Sequence, residues 1–252
     1  MAPTNFIKYS EITDAQYTVT INLQNFLNEM DLCEFKKDLK EISNDCADDI
    51  VEIYKFDGNK LTYRSETLFP HERNVNKPKV LIVFGNPAFH SIRNGMFFFA
   101  RANNQRHSMW GKLQKANLIK LVRFENDDLF LGRKQEAEER KKLISEGQAS
   151  EEYCLGLTTF YSFPTPVEGR FRDVQGVGKL FKTILENTIA PFEVHRILKY
   201  PFTQNATLVF VQKSSYDAFK RHSDREALFW PVRGGNSSGE DLLQMLQEKI
   251  KT

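Results

Sequence analysis

The 252-residue sequence predicts an α/β fold: three layers, α/β/α, around a central four-stranded parallel sheet. Three observations carry that expectation. Val80-Leu81-Ile82-Val83-Phe84 is a short, continuously apolar, β-branched run, the pattern of a strand buried on both faces. From residue 80 onward, strand-like runs alternate with loops and helical patterns four times, which implies parallel strands with helices on both faces. The composition is that of a globular chain, 40% hydrophobic and 27% charged, with no repeat or low-complexity linker.

Taken in order, Leu23 to Tyr54 spaces its apolar residues three or four apart and reads as one or two amphipathic helices. Asp57-Gly58-Asn59 is a turn signal that joins short strands at Ile50 to Phe56 and Lys60 to Ser65. Residues 1–75 are expected to form a helical extension packed on a core of residues 76–252, the whole being one domain. In the core, strands are expected to begin near Val80, Cys154, Thr207 and Ala227. Helices are expected at Met109 to Leu118, Lys134 to Ile144, Val177 to Thr188, Ser215 to Arg221 and Glu240 to Lys249. The charge run within Glu125 to Glu152 reads as a solvated face. Gly176-Val177-Gly178-Lys179 lacks the spacing of a phosphate-binding P-loop.

Composition narrows the function classes. No apolar run approaches the ~20 residues of a membrane helix, and Met1 to Lys8 lacks a signal-peptide pattern. A cytoplasmic protein is expected (nuclear in a eukaryote), monomeric and without a membrane partner. Cys33, Cys46 and Cys154 are widely spaced and form no CxxC pair, so neither a disulfide framework nor a bound metal or other cofactor is expected. A net charge of +2 permits nucleic-acid binding through a local patch without arguing for it.

In parallel sheets, ligands bind beyond the carboxyl ends of the strands. Three loops gather there: Gly85 to Asn94, Ser162 to Gly178, and Arg233 to Ser238. In the first, Asn86 stands just past a buried strand. Pro87 removes a backbone donor and biases Asn86 away from helical geometry, holding its amide toward the sheet edge. Gly95-Met96-Phe97-Phe98-Phe99-Ala100 and His107-Ser108-Met109-Trp110-Gly111-Lys112 follow.

This series resembles the uracil-DNA glycosylase superfamily. Its first motif is most like the mismatch-specific uracil/thymine glycosylases, in which an apolar strand runs into Gly-x-Asn-Pro-Gly, a Gly-aromatic stretch, and Asn-x-Phe-Trp-Lys opening a helix. The resemblance covers roughly residues 75 to 250, with departures. Phe84 and Ala88 replace the two glycines, and His107-Ser108-Met109-Trp110 stands for Asn-x-Phe-Trp. Leu155-Gly156-Leu157-Thr158-Thr159 lacks the asparagine with which many members read the base edge. The last loop, Arg233-Gly234-Gly235-Asn236-Ser237-Ser238, lacks their Pro-Ser grip.

The resemblance implies a uracil-DNA-glycosylase-like fold and hydrolysis of the N-glycosidic bond of uracil or a related deaminated base in DNA, without a cofactor. Asn86 would hold the attacking water, with His90 beside it as a second catalytic candidate. Pro87, Phe89, Phe98 and Thr159 would hold the flipped base, Phe98 by stacking. Ser91, Ser162, Arg233, Gly234, Asn236 and Ser237 would contact the DNA strand. Two other readings remain open at this point. One is a glycosylase-like module that binds nucleic acid with little or no catalysis. The other is an amino-methyltransferase, from Asn86-Pro87-Ala88-Phe89, though no Gly-rich turn for its methyl donor precedes residue 80.

Overall fold

The computed structural model describes residues 7–11, 15–45, 53–71, 77–100, 104–182, 185–232 and 237–250. Their frame is one mixed sheet of eight strands. The four strands expected from residue 80 onward are β5 (Lys79–Phe84), β6 (Cys154–Thr159), β7 (Ala206–Phe210) and β8 (Leu228–Phe229). All are parallel, in the order β6-β5-β7-β8. The last is only two residues long, shorter than the sequence suggested.

The sheet is nevertheless not a four-stranded parallel one, and that expectation is corrected. Four N-terminal strands, β1 (Ile7–Glu11), β2 (Gln16–Asn22), β3 (Tyr54–Asp57) and β4 (Lys60–Leu68), form an antiparallel set. They join the parallel strands where Thr67 and Leu68 of β4 pair antiparallel with Thr158 and Leu157 of β6. The described part of residues 1–75 therefore contributes four strands to the sheet as well as a helix. Its helix, α1 (Glu29–Asp45), follows β2, whose Tyr17, Val19 and Ile21 point into the core while Thr18, Thr20 and Asn22 are partly exposed. That two-residue alternation is what builds a half-buried strand. The β3–β4 hairpin turns on Gly58 and Asn59, with Gly58 at φ 58°, a conformation glycine adopts without steric cost.

Helices cover both faces. One face packs α1, α5 (Asp173–Leu180), α6 (Ala190–Lys199) and α8 (Lys213–His222) on Leu81 and Val83. The other packs α3 (Ser108–Lys115), α4 (Leu129–Ser145) and α9 (Gly239–Ile250) on Val80, Ile82 and Phe84. Two short helices, α2 (Phe89–Asn94) and α7 (Pro201–Gln204), complete the connections. The helix expected at Val177 to Thr188 starts earlier, as α5, and its C-terminal part is a separate π-helical turn, Leu185–Ile189.

The charge run on α4 is not simply a solvated face. Glu136 is fully buried and forms ion pairs with Arg106 (2.7 Å), Arg133 (3.3 Å) and Arg140 (2.8 Å), while Arg140 also lies 4.8 Å from the Trp110 ring. Three guanidinium groups converge on one carboxylate, so the pattern of charges hid a buried network. The first turn of α4 does the reverse and exposes Leu129, Phe130 and Leu131.

Candidate functional site at the carboxyl edge of the parallel strands

The chain leaves β5 for β6 on one side and then returns to β7 on the other. Strand order thus reverses around β5, and the loop beyond β5 opens at the switch point where α/β sheets bind ligands. That loop is Gly85-Asn86-Pro87. A Cβ at Gly85 would stand 2.0 Å from Oε1 of Gln212, which follows β7, so the Gln212 amide lies against the backbone of Gly85 and would have to move for a side chain there.

The loops after β5 and β6 are laced together. Tyr161 N–H donates to Gly85 O (2.8 Å), Thr165 N–H to Pro87 O (3.0 Å), and Phe89 N–H to Thr165 O (3.3 Å). The Asn86 amide is oriented by the same partner: Nδ2 donates to Thr165 Oγ1 at 2.6 Å, and Thr165 Oγ1 donates onward to Asp173 O at 3.5 Å. The other end of the amide, Oδ1, is buried and has no protein hydrogen-bond partner. A buried acceptor left open costs roughly 1–3 kcal/mol, so such atoms concentrate where a ligand or reacting water is held.

The three phenylalanines separate clearly. Phe97 and Phe99 are buried core residues, while Phe98 is half-buried. Phe98 adopts φ 47°, a left-handed conformation uncommon for a bulky residue. Trp110 Nε1 fixes it there by donating to Phe98 O at 3.0 Å. Its ring meets Phe84 edge-on at 4.7 Å and lies at 4.5 Å and 31° to His107. Strain held by a hydrogen bond from a buried indole is a mark of a positioned side chain.

Other expected site residues are placed differently. Phe89 is buried in the core, 5.8 Å from Tyr54 and edge-on to it, and Ser91 is also buried. Pro87 is buried, with its carbonyl occupied by Thr165. His90 is half-buried in the first turn of α2, close to Asn86 in sequence. Ser162 lies under the loop, bonded through its amide (2.8 Å) and hydroxyl (2.5 Å) to Glu193 Oε1 and through its hydroxyl to Tyr63 (2.9 Å). Buried as they are, and Ser162 bonded besides, Ser91 and Ser162 are not presented to a phosphate.

Arg233, Gly234 and Asn236 lie outside the described residues. Ser237 is half-buried, and its carbonyl, with that of Val232, accepts from Lys112 Nζ (2.6 and 2.8 Å). Ser238 and Asp241 cap α9 reciprocally, Ser238 Oγ bonding Asp241 Oδ2 at 2.7 Å and accepting from Asp241 N at 3.1 Å. That helix end already carries its own carboxylate.

Thr159 stands at the end of β6 with its hydroxyl buried and without a protein partner. Directly across from it in register is Phe84. On its other side the ladder places Thr67 opposite Thr158, so one step further sets Glu66 beside Thr159. Leu68 and Leu157, two residues back on each strand, both pack on the α3–α4–α9 face, and the two-residue period puts Glu66 and Thr159 there as well. Sequence reasoning missed Glu66. Burial pushes its carboxyl well above the usual carboxylate range, and Oε2 has no protein partner.

This sets a pH dependence. A carboxyl kept neutral by the fold contributes fully to stability below its unfolded value, near pH 4.5, and that contribution is lost as pH rises toward its folded value. Glu66→Gln is therefore expected to gain stability over the wild type as pH rises above 4.5, at up to about 1.4 kcal/mol per pH unit until the folded value is reached. Urea titrations of both proteins between pH 4 and 8 measure it; a pH-independent difference would show that Glu66 ionises in the folded protein.

Cys33 is exposed and Cys154 buried, both as free thiols, and Cys46 lies outside the described residues. Among the described residues, no group of three or more His, Cys, Asp or Glu side chains could hold a metal ion, and no helix is long and apolar enough to cross a membrane. Compared with protein-family models and with curated proteins, the sequence matches none.

Proposed function

We propose that the protein is a DNA glycosylase that hydrolyses the N-glycosidic bond of uracil or a related deaminated base. The observation that carries this reading is the Asn86 amide, oriented by Thr165 so that Oδ1 stays open at the switch point of the sheet. Departure of the base leaves an oxocarbenium-like sugar, and a water must be held on the opposite face. An amide oxygen can accept one proton of that water and orient it, although it is too weak a base to remove the proton outright. A flipped base needs an aromatic platform, and Phe98 is the half-exposed ring held next to the same strand end. DNA carrying the damaged base is the proposed partner, and no cofactor enters this scheme.

The test is a panel of oligonucleotides containing uracil, a thymine mismatch, hypoxanthine or xanthine, scored for abasic sites. Release of at least one base supports the reading; release of none from single- or double-stranded DNA refutes it. Phe98→Ala is expected to reduce discrimination between a damaged and an undamaged site by about 1–3 kcal/mol, the worth of one stacked base. Competition binding measures that, and equal discrimination by both proteins would remove Phe98 from the site.

A non-catalytic nucleic-acid-binding module is the second reading. It is favoured by the burial of Ser91 and Ser162, which leaves the strand grip expected of an active enzyme unassembled by these two residues. Binding without base release is its signature.

A further inference from the structure

We infer that Glu66 and Thr159 form the specificity element of this site, reading the hydrogen-bonding edge of a lactam nucleobase such as uracil. The inference rests on the glycosylase reading for the identity of the base, but on its own observations for the location. Glu66 and Thr159 are 3% and 1% exposed, they occupy neighbouring positions on one face of the sheet, and each has a side-chain oxygen without a protein partner. Adjacent strand backbones run about 5 Å apart. Neighbouring positions on one face bring the two side chains within reach of a single planar ring.

The surroundings bound the space on either side. On one side Thr159 faces Phe84, against which Phe98 stands edge-on. On the other, Glu66 is paired with Gln16, and Gln16 and Leu68, its neighbours across and along the sheet, line an open cleft of about 490 Å³ together with Gly95 and with Lys141 and Ser145 of α4. That volume is within the range of small-molecule sites. A ring stacked on Phe98 with its edge toward β6 and β4 would meet the Thr159 hydroxyl first and Glu66 next.

The chemistry of the pair fits a lactam. Uracil presents an N–H donor beside a carbonyl acceptor. A neutral carboxyl offers one acceptor and one donor, and a threonine hydroxyl offers either. An ionised carboxylate would only accept and would repel the carbonyl. Burial keeps the Glu66 carboxyl in the neutral form that this pairing requires. The residue comes from β4, outside the segment that resembles the glycosylases, so the antiparallel strands would supply what the Thr159 position lacks.

The experiment uses the full chain and free uracil, with cytosine as the comparison, followed by NMR titration of wild type, Glu66→Gln, Glu66→Leu and Thr159→Val. Circular dichroism verifies that each variant folds. Glu66→Gln keeps a donor and an acceptor and is expected to bind uracil within about threefold of wild type. Glu66→Leu and Thr159→Val are each expected to weaken uracil by about tenfold or more, the loss of one buried hydrogen bond. If Glu66→Leu does not fold, the Gln and Val variants decide: retained binding in the first with loss in the second supports the pair.

Uracil binding unchanged in the folded Leu or Val variant, or cytosine bound as tightly as uracil, overturns the inference. So does a wild type that does not bind uracil at all. The two claims fail separately. Excision by a wild type whose rate and base preference are untouched by Glu66→Leu would leave the glycosylase reading standing and sink this one. Uracil binding that depends on Glu66 and Thr159 in a protein that cleaves nothing would do the opposite.

Discussion

Arg196→Met is expected to destabilise the protein by about 3–5 kcal/mol, the cost of leaving one partner of a buried ion pair uncompensated. Arg196 and Glu193 are one helical turn apart on α6, both essentially buried, with Nε to Oε2 at 2.7 Å. The guanidinium also donates to Thr159 O (2.5 Å), Phe160 O (3.1 Å) and Thr158 Oγ1 (3.3 Å), and it lies 5.3 Å from the Tyr17 ring. Glu193 in turn holds Ser162. One ion pair therefore ties α6 to the end of β6 and to the loop that carries Thr165. Arg196→Met strands the Glu193 carboxylate in the core, whereas Arg196→Met with Glu193→Leu removes both charges and is expected to cost less than the single change. Urea unfolding of the three proteins measures this. A single change within about 1 kcal/mol of wild type would mean that the pair does not hold the strand end.

Asn86→Ala is expected to lower single-turnover base release by on the order of a hundredfold, the scale for losing one positioned catalytic group. DNA affinity should change little, because in the proposed scheme the strand contacts lie elsewhere. Asn86→Asp probes the same atom from the other direction. Thr165 Oγ1, which accepts from the asparagine, can turn its proton toward a carboxylate, so the side chain keeps its anchor while its free oxygen becomes a stronger acceptor for water. Activity is expected to survive or rise. Rapid-quench kinetics on the preferred substrate distinguish the outcomes, and undiminished release by Asn86→Ala on every substrate would transfer the weight to the binding-module reading.

The parallel half of the fold was legible because its signals are local. Val80 to Phe84 could be little else than a doubly buried strand, and Gly85-Asn86-Pro87 marked where it stops. The antiparallel half was harder to read. Gln16 to Asn22 carries a clean two-residue alternation, Tyr17, Val19 and Ile21 against Thr18, Thr20 and Asn22, but it is short and runs directly into the helical spacing after Leu23. What no local pattern could show is that β4 borders β6. That pairing spans about 90 residues and rests on two residues of ladder, yet it alone brings Glu66 to Thr159. Likewise, Ser162 resembled a loop hydroxyl open to solvent, and only the long-range contacts to Glu193 and Tyr63 reveal that it is buried. Among Phe97, Phe98 and Phe99, sequence could rank but not separate; the positive φ of Phe98 and its bond from Trp110 separate them. Gln212 had a readable signal, a polar residue immediately after an apolar strand, and the switch-point rule would have singled it out once the strand order was known.

In the proposed function, substrate engages the carboxyl edge of β5 and β6. Amide chemical-shift mapping with a uracil-containing oligonucleotide, read against the same oligonucleotide with cytosine, tests it most directly. The predicted result is a uracil-dependent cluster of shifts at Gly85, Asn86, Phe98 and Thr159. Shifts confined to the exposed apolar turn at Leu129, Phe130 and Leu131, with that edge unperturbed, would contradict it.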